Sequence, residues 1–278
     1  TSASKDLMTK QITGILESCP PELRSLLNAA ARAALTAGTI IRELYQKPHT
    51  IKMKGEIDLV TEADIAAESA ITASFAEDAP GIAIMAEESY QGKKEAPRGK
   101  IWVVDPLDGT TNFAHGVPIF AVSIALLEDG IPLIGVIYCP LQDELFFAVK
   151  GGGAWLNDQR IGVTDTEFLV QALVATGFPY DIRKNLDRVV NQMQRVLPKV
   201  RDIRRMGAAA VDLAYVACGR LDGFWEVNLK PWDTAAGWLL VEEAGGRVTD
   251  FIGDPYSPFY PEIVASNTRL HKLLLDLL

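Results

Sequence analysis

The densest concentration of potential chemistry in this chain is Trp102-Val-Val-Asp105-Pro-Leu-Asp108-Gly-Thr-Thr-Asn112-Phe113. An apolar run delivers Asp105. Pro106 then fixes the next backbone step and removes an N–H donor, and Asp108 follows three residues after Asp105. Two carboxylates at that spacing around a turn can converge on one hard cation. Oxygen-only ligands suit Mg2+, which takes a few carboxylates, water and a substrate phosphate. Gly109-Thr110-Thr111 can turn successive backbone N–H groups toward an anion. Metal-binding carboxylates beside an amide cradle make sense for a phosphate ester. A plainer alternative stays open, because Asp, Pro and Gly are also ordinary turn residues.

Two further acidic sites bear on that choice. Glu87-Glu88-Ser89 follows the apolar run 82–86. If the segments 82–86 and 101–104 are neighbouring strands, Glu87 and Asp105 emerge together at one sheet end, the usual place for ligands; otherwise the pair is a solvated loop. Asp233, in Pro231-Trp-Asp-Thr-Ala-Ala-Gly237, stands where an N-cap would, just before a small-residue helix, and capping is its plainer role. Ala235, Ala236 and Gly237 would let that helix pack close to the site.

The elements that must position these residues are readable from periodicity. Apolar residues at three- and four-residue spacing predict a helix over 22–45, opened by Pro20-Pro21. The stretch 47–58 reads as a polar loop. Thr61 with Asp64 three residues on resembles a capping pair for a helix over 61–78. Strands are expected at 82–86, 101–104, 119–127, 131–138 and 144–149, with Asp129-Gly130 as a hairpin turn and Gly151-Gly-Gly153 as a flexible one. The second half alternates: strands at 172–175, 223–227 and 263–265, and helices at 185–197, 207–220, 234–244 and 267–278. Gly245-Gly246 ends the third of these helices. We read an N-terminal extension (1–20), an α+β subdomain with the metal-binding carboxylates (21–160) and an α/β subdomain completing the site (161–278), in one continuous catalytic unit.

Composition narrows the function classes. The 278 residues carry 27 Lys and Arg against 36 Asp and Glu, a net charge of −9, which disfavours a nucleic-acid partner held by bulk electrostatics. No run reaches the roughly 18 apolar residues of a membrane span, and the polar segment 1–10 has no secretory core. Cys19, Cys139 and Cys218 fit neither a disulfide framework nor a zinc site and read as reduced structural thiols. The expected location is therefore cytoplasmic. No Ser-His-Asp or Cys-His set is evident, and His49, His115 and His271 are scattered and read as non-catalytic.

Glu87-Glu88-Ser89, Asp105-Pro-Leu-Asp-Gly-Thr-Thr-Asn-Phe113 and Trp232-Asp-Thr-Ala-Ala-Gly237 with Val241-Glu-Glu-Ala-Gly-Gly246 together resemble the inositol monophosphatase family, in motif order and separation as well as in residues. The resemblance covers nearly the whole chain and leaves residues 1–20 outside. It implies a layered α-β-α-β-α sandwich and hydrolysis of a phosphate monoester with two or three Mg2+ ions. It further implies inhibition by Li+, Mn2+ as a substitute ion, a small-molecule phosphate substrate and a homodimer. By resemblance, Glu87, Asp105 and the Leu107 carbonyl hold one metal; Asp105, Asp108 and Asp233 hold another; and Glu88 holds a water on a third, weaker one. Glu87 and Thr110 position the attacking water, and Asp64 orients Thr110. The substrate meets Asp108, Gly109, Thr110, Thr111, Ala209, Glu226 and Asp233, with Glu226 accepting hydroxyls of a sugar or inositol. The stretch 47–58 lies where members carry a mobile segment near the weakest metal.

Thr110-Thr-Asn-Phe113 favours the inositol-1-monophosphatase branch. Fructose-1,6-bisphosphatase or dual sugar-phosphatase activity remains an alternative, as do 3′-phosphoadenosine 5′-phosphate nucleotidase and histidinol-phosphate phosphatase. A second phosphate would call on Arg183, Lys184, Arg204 or Arg205. A third alternative is a regulatory, protein-binding role, since some bacterial members contact the transcription machinery.

Overall fold

The computed structural model describes residues 19–48, 51–55, 58–90 and 98–278. Residues 1–18 of the expected extension, His49, and Glu56 and Ile57 of the expected loop lie outside the described residues. Helix α1, Pro21–Leu44, begins with Pro21 in its first turn, where the missing N–H costs nothing. It buries Leu23, Leu27, Ala30, Ala34, Ala37 and Ile41 along one face. The segment expected to be a loop after it contains a strand: β1, Ile51–Met53, pairs antiparallel with β2, Leu59–Thr61. All three residues of β1 are exposed, so no buried alternation marks it in the sequence. Helix α2, Glu62–Asp78, starts at a capping box in which Thr61 and Asp64 satisfy each other's backbone N–H groups.

A seven-stranded sheet follows, with spatial order equal to chain order: β3 (Ala83–Ala86), β4 (Lys100–Asp108), β5 (Ala121–Glu128), β6 (Ile131–Cys139), β7 (Glu144–Val149), β8 (Gly153–Leu156) and β9 (Gln159–Arg160). Helix α3, Thr110–Ala114, sits between β4 and β5. The β3–β4 pair is parallel and the remaining pairs are antiparallel. On β4, Ile101 and Val103 enter one apolar cluster while Trp102 and Val104 enter another. A strand covered on both faces reads as a continuous apolar run. The short strands β8 and β9 escape sequence reading because the first starts on a glycine and the second is two exposed residues long.

The second half comprises β10 (Leu173–Thr176), α4 (Ile182–Val196), β11 (Asp202–Arg204), α5 (Ala209–Ala217), β12 (Gly223–Val227), α6 (Pro231–Glu243), β13 (Arg247–Thr249), β14 (Glu262–Ser266) and α7 (His271–Leu275). Its five strands are ordered β11-β10-β12-β14-β13. Four helices differ from the periodicity reading, and the first, α4, starts three residues early at Ile182. Gly207 and Gly219 both take left-handed φ, which confines α5 to the residues between them. Asn267 accepts the Leu270 N–H at 2.8 Å in a turn, so α7 starts only at His271. Helix α6 starts at Pro231, with Lys230 as its N-cap.

The layers run α-β-α-β-α. Helices α1 and α2 cover one face of the seven-stranded sheet, and α5 and α6 fill the space between the sheets. Helices α4 and α7 cover the outer face of the five-stranded sheet. Two glycines set how close α6 comes. A Cβ on Gly135 of β6 would lie 2.6 Å from the Ala236 carbonyl oxygen, and one on Gly237 would lie 2.4 Å from Leu213 Cβ of α5. The small residues expected to permit close packing of α6 do so.

Candidate active site

Parallel pairing puts Ala86 opposite Val104, and the Glu87 N–H donates to the Val104 carbonyl at 3.1 Å. Glu87, just past the end of β3, therefore lies beside Asp105, which is still inside β4 because that strand runs on to Asp108 and not to 104 as expected. In a regular strand Asp105 and Asp108 would face opposite sides of the sheet, being an odd number of residues apart. They do not, because β4 carries a bulge: Asp105 pairs with Ser123, and Asp108 with Ala121. Three steps on β4 thus match two on β5, which turns both carboxylates the same way. Ser123, opposite Asp105, donates its hydroxyl to the Trp232 carbonyl at 3.1 Å and pins the start of α6 beside β4. Carboxylate oxygens of Asp105, Asp108 and Asp233 consequently lie within 4.8 Å of one another.

Each of the three is held by backbone. Leu107 N–H donates to Asp105 Oδ1 at 2.9 Å, Ala210 N–H at the start of α5 to Asp108 Oδ2 at 2.7 Å, and Lys230 N–H to Asp233 Oδ2 at 2.7 Å. Asp233 is thus the third residue of α6, its carboxylate accepting the N–H of the N-cap Lys230, and not the N-cap itself as its neighbours in sequence suggest. Burial, reinforced by the neighbouring acids, pushes Asp108 and Asp233 up to about 7 and holds Asp105 well above the usual carboxylate range. A cluster of buried acids that raise one another's pKa has the electrostatics of a cation site, and an all-oxygen donor set suits a hard divalent ion. The cluster can hold a metal.

Beside it, the Thr110 hydroxyl lies 2.7 Å from Asp64 Oδ1 and 3.0 Å from the Leu107 carbonyl. A hydroxyl has one proton, and the shorter, carboxylate partner takes it. Asp64 is fully buried; its Oδ2 accepts from both the Thr61 N–H and the Thr61 hydroxyl, at 2.8 and 2.6 Å. Burial raises its pKa, against the pull of those hydrogen bonds. Gly109 precedes Thr110 at φ +91, and a Cβ there would approach Ile119 O at 3.0 Å, so the turn into α3 needs glycine.

Glu87 and Glu88 are organised differently. Lys54, next to β1, places its ammonium 2.8 Å from Glu87 Oε1 and 2.7 Å from Glu88 Oε1. Burial pushes both glutamates up to about 7, against the lysine's pull. Burial opposes the lysine's charge as well, but the two carboxylates outweigh it and raise its pKa. The Glu88 N–H donates to Glu68 Oε2 at 2.9 Å.

A cavity of about 340 Å³ opens over this floor. Asp108, Gly109, Thr110, Thr111 and Asp233 line it, as do Ala209 and Glu226 from the second half. Burial pushes Glu226 up to about 8, partly offset by Arg205. Of the four candidate cations, Arg205 lines the cavity; Arg183, Lys184 and Arg204 do not, and Arg204 pairs with Asp202. His271 sits between the Thr249 and Ser266 hydroxyls in the core, and His115 caps α3. The cysteines are free thiols. Sequence reasoning passed over Lys54, Glu68, Ser123, Gly177 and Asp212. Gly177 bears directly on Glu226: a Cβ there would lie 2.0 Å from Glu226 Oε2.

The family model for the inositol monophosphatase family matches residues 22–278. The chain belongs to the inositol monophosphatase family. It is 44% identical over 257 residues to an inositol-1-monophosphatase of Synechocystis sp., covering 92% of this chain and 89% of the relative. It is 43% identical over 256 residues to the Nus factor SuhB of Escherichia coli K12, covering 91% and 95%. The crystal structure of the extragenic suppressor protein suhB from Bartonella henselae superimposes with a TM-score of 0.86 at 41% identity, covering 91% of this chain and 97% of that one. The protein is thus a phosphatase of this family, with its layered fold. Among the described residues no helix is long and apolar enough to cross a membrane.

Proposed function

We propose that this phosphatase hydrolyses inositol 1-phosphate to inositol and phosphate with Mg2+. The observation that carries the reading is one cavity in which Asp108, Asp233 and Thr110 meet Glu226 and Ala209. Asp105, Asp108, Asp233, Glu87 and the Leu107 carbonyl would hold two Mg2+ ions, and Glu88 a third through water. When bound, the ions neutralise the phosphate and lower the pKa of a water. Thr110, donating its hydroxyl hydrogen bond to Asp64 Oδ1, presents a lone pair that would accept a hydrogen bond from the attacking water and aim it, while the Glu87 carboxylate would take the water's proton. The N–H groups of Gly109, Thr110 and Thr111 face the non-bridging oxygens. Glu226 accepts leaving-group hydroxyls, and the Ala209 backbone borders the ring. Family membership supports Mg2+ with Mn2+ as substitute, inhibition by Li+, a homodimer and a cytoplasmic location.

The test is phosphate release at saturating Mg2+ from inositol 1-phosphate, fructose 1,6-bisphosphate, 3′-phosphoadenosine 5′-phosphate and histidinol phosphate. The expected outcome is the highest kcat/KM on inositol 1-phosphate. Equal rates on fructose 1,6-bisphosphate would sink the branch assignment, and no turnover of any of them the substrate class.

A second reading, a protein-binding role in transcription, is favoured by the relatives named Nus factor SuhB at 43% identity. Capture of RNA polymerase by Asp105→Asn protein would support it independently of catalysis; its absence from both wild-type and variant captures would remove it.

A further inference from the structure

Asp212 lies in the first turn of α5, two residues beyond the Ala210 amide that holds Asp108. It lines the same cavity as Glu226 and is 1% exposed. Its Oδ1 has no hydrogen-bond partner. Asp64, Asp105, Asp108 and Asp233 by contrast each accept a hydrogen bond from the chain. An unpartnered buried carboxyl is costly, and one bordering a cavity marks a partner that enters from the cavity. Its charged neighbours are Glu226 on β12, Asp108 on β4 and Arg205 ahead of α5; burial and the two acids raise its pKa. A hydroxyl both donates and accepts, so it can satisfy this carboxyl in either protonation state. A second phosphate would instead meet two acids against one guanidinium.

We propose that Asp212 is a specificity-determining residue: beside Glu226 it takes up a hydroxyl of the leaving group, so the cavity selects polyhydroxylated over hydroxyl-free phosphate esters. This rests on the phosphatase reading above and deepens it. Glu226 alone can engage one edge of a polyol; a second carboxyl on the neighbouring element fixes the ring's rotation.

Steady-state kinetics on Asp212→Leu and Asp212→Asn, with inositol 1-phosphate and phenyl phosphate, test it. Loss of a hydrogen bond to a buried carboxyl is worth about tenfold or more. Asp212→Leu should lower kcat/KM on inositol 1-phosphate by about that factor, chiefly through KM, and change phenyl phosphate by less than about twofold. Asp212→Asn, which keeps an acceptor in the same place, should recover most of the loss. Asp212→Leu should not lower Tm, since an apolar side chain of similar shape replaces an unpaired acid; if it does not fold, Asp212→Ala is read on the same pair. Equal losses on both esters would make Asp212 structural, and no loss on either would remove it from recognition. Should the wild type prefer fructose 1,6-bisphosphate, the substrate reading fails, and the Asp212 ratio is read on that ester against phenyl phosphate. Wild-type turnover of phenyl phosphate but of no hydroxylated ester would overturn both.

Discussion

Two acidic clusters meet at this site, and they are built on different terms. Asp105, Asp108 and Asp233 are each fixed by a backbone N–H belonging to a bulged strand or a helix start. Glu87 and Glu88 are gathered by the ammonium of Lys54, beside a three-residue exposed strand. Backbone donors on packed elements cannot swing away, whereas a lysine at the end of an exposed strand can exchange its partners at small cost. The aspartates therefore form a preset end of the site, and the glutamates an adjustable one.

The sharpest way to break this contrast is Asp105→Asn. Turnover should fall by roughly a thousandfold, measured as phosphate release, while a melt in chelator shows Tm unchanged or raised because like-charge repulsion is relieved. Gross unfolding in chelator would mean that the aspartates carry the fold and are not a preset cation site. Thr110→Ala comes next. With the hydroxyl that Asp64 orients toward the water removed, kcat should drop about a hundredfold, while Mg2+ affinity by titration stays within about twofold. A shift in Mg2+ affinity as large as that in kcat would place Thr110 among the metal contacts instead.

Gly177→Ala probes the far wall of the cavity. The new Cβ would displace Glu226, and kcat/KM on inositol 1-phosphate should fall about tenfold, the loss of one hydrogen bond to a buried carboxyl, with phenyl phosphate unaffected. Equal losses would show that the residue supports the fold around the phosphate and not the leaving group.

The metal-free protein offers a pH test of the buried acids at both ends and on the cavity wall. Asp108, Asp233 and Glu87 sit near 7 and Glu226 near 8, above the unfolded carboxylate range of about 4. The folded state holds these protons more tightly, so their contribution is complete below about pH 4 and is lost as pH rises through 7 to 8. In chelator, Tm should fall between pH 5 and pH 8, and added Mg2+ should cancel the fall; a Tm that climbs over that range in chelator contradicts the burial argument. The smallest effect belongs to Lys54→Gln, which should change unfolding free energy by no more than about 1 kcal/mol in a denaturant titration. A loss of several times that would make the glutamate end as rigid as the other.

Much of this site was legible because its parts are local. The Asp105–Phe113 motif, the Thr61–Asp64 capping pair and the position of Glu87 after a strand depend on residues within a few positions, where spacing and turn chemistry constrain geometry. The adjacency of Glu87 and Asp105 depends on a single strand pairing, that of β3 with β4. The strand in 51–53 was illegible because its residues bury nothing, and the length of α7 because Asn267 spends its side chain on a turn.

Sequence by itself determined the carboxylate inventory, the starts of α1 and α2 and the family pattern, since those are written in residue types at short spacing. Tertiary structure alone decided which acids converge. The β4 bulge turns Asp108 to the side of Asp105, the Ser123–Trp232 bond brings Asp233 across 109 residues, and Lys54 and Asp212 reach the site from a hairpin and a helix that no motif marks. Such contacts depend on how whole elements pack, and a packing direction leaves no periodicity in the residues that it brings together.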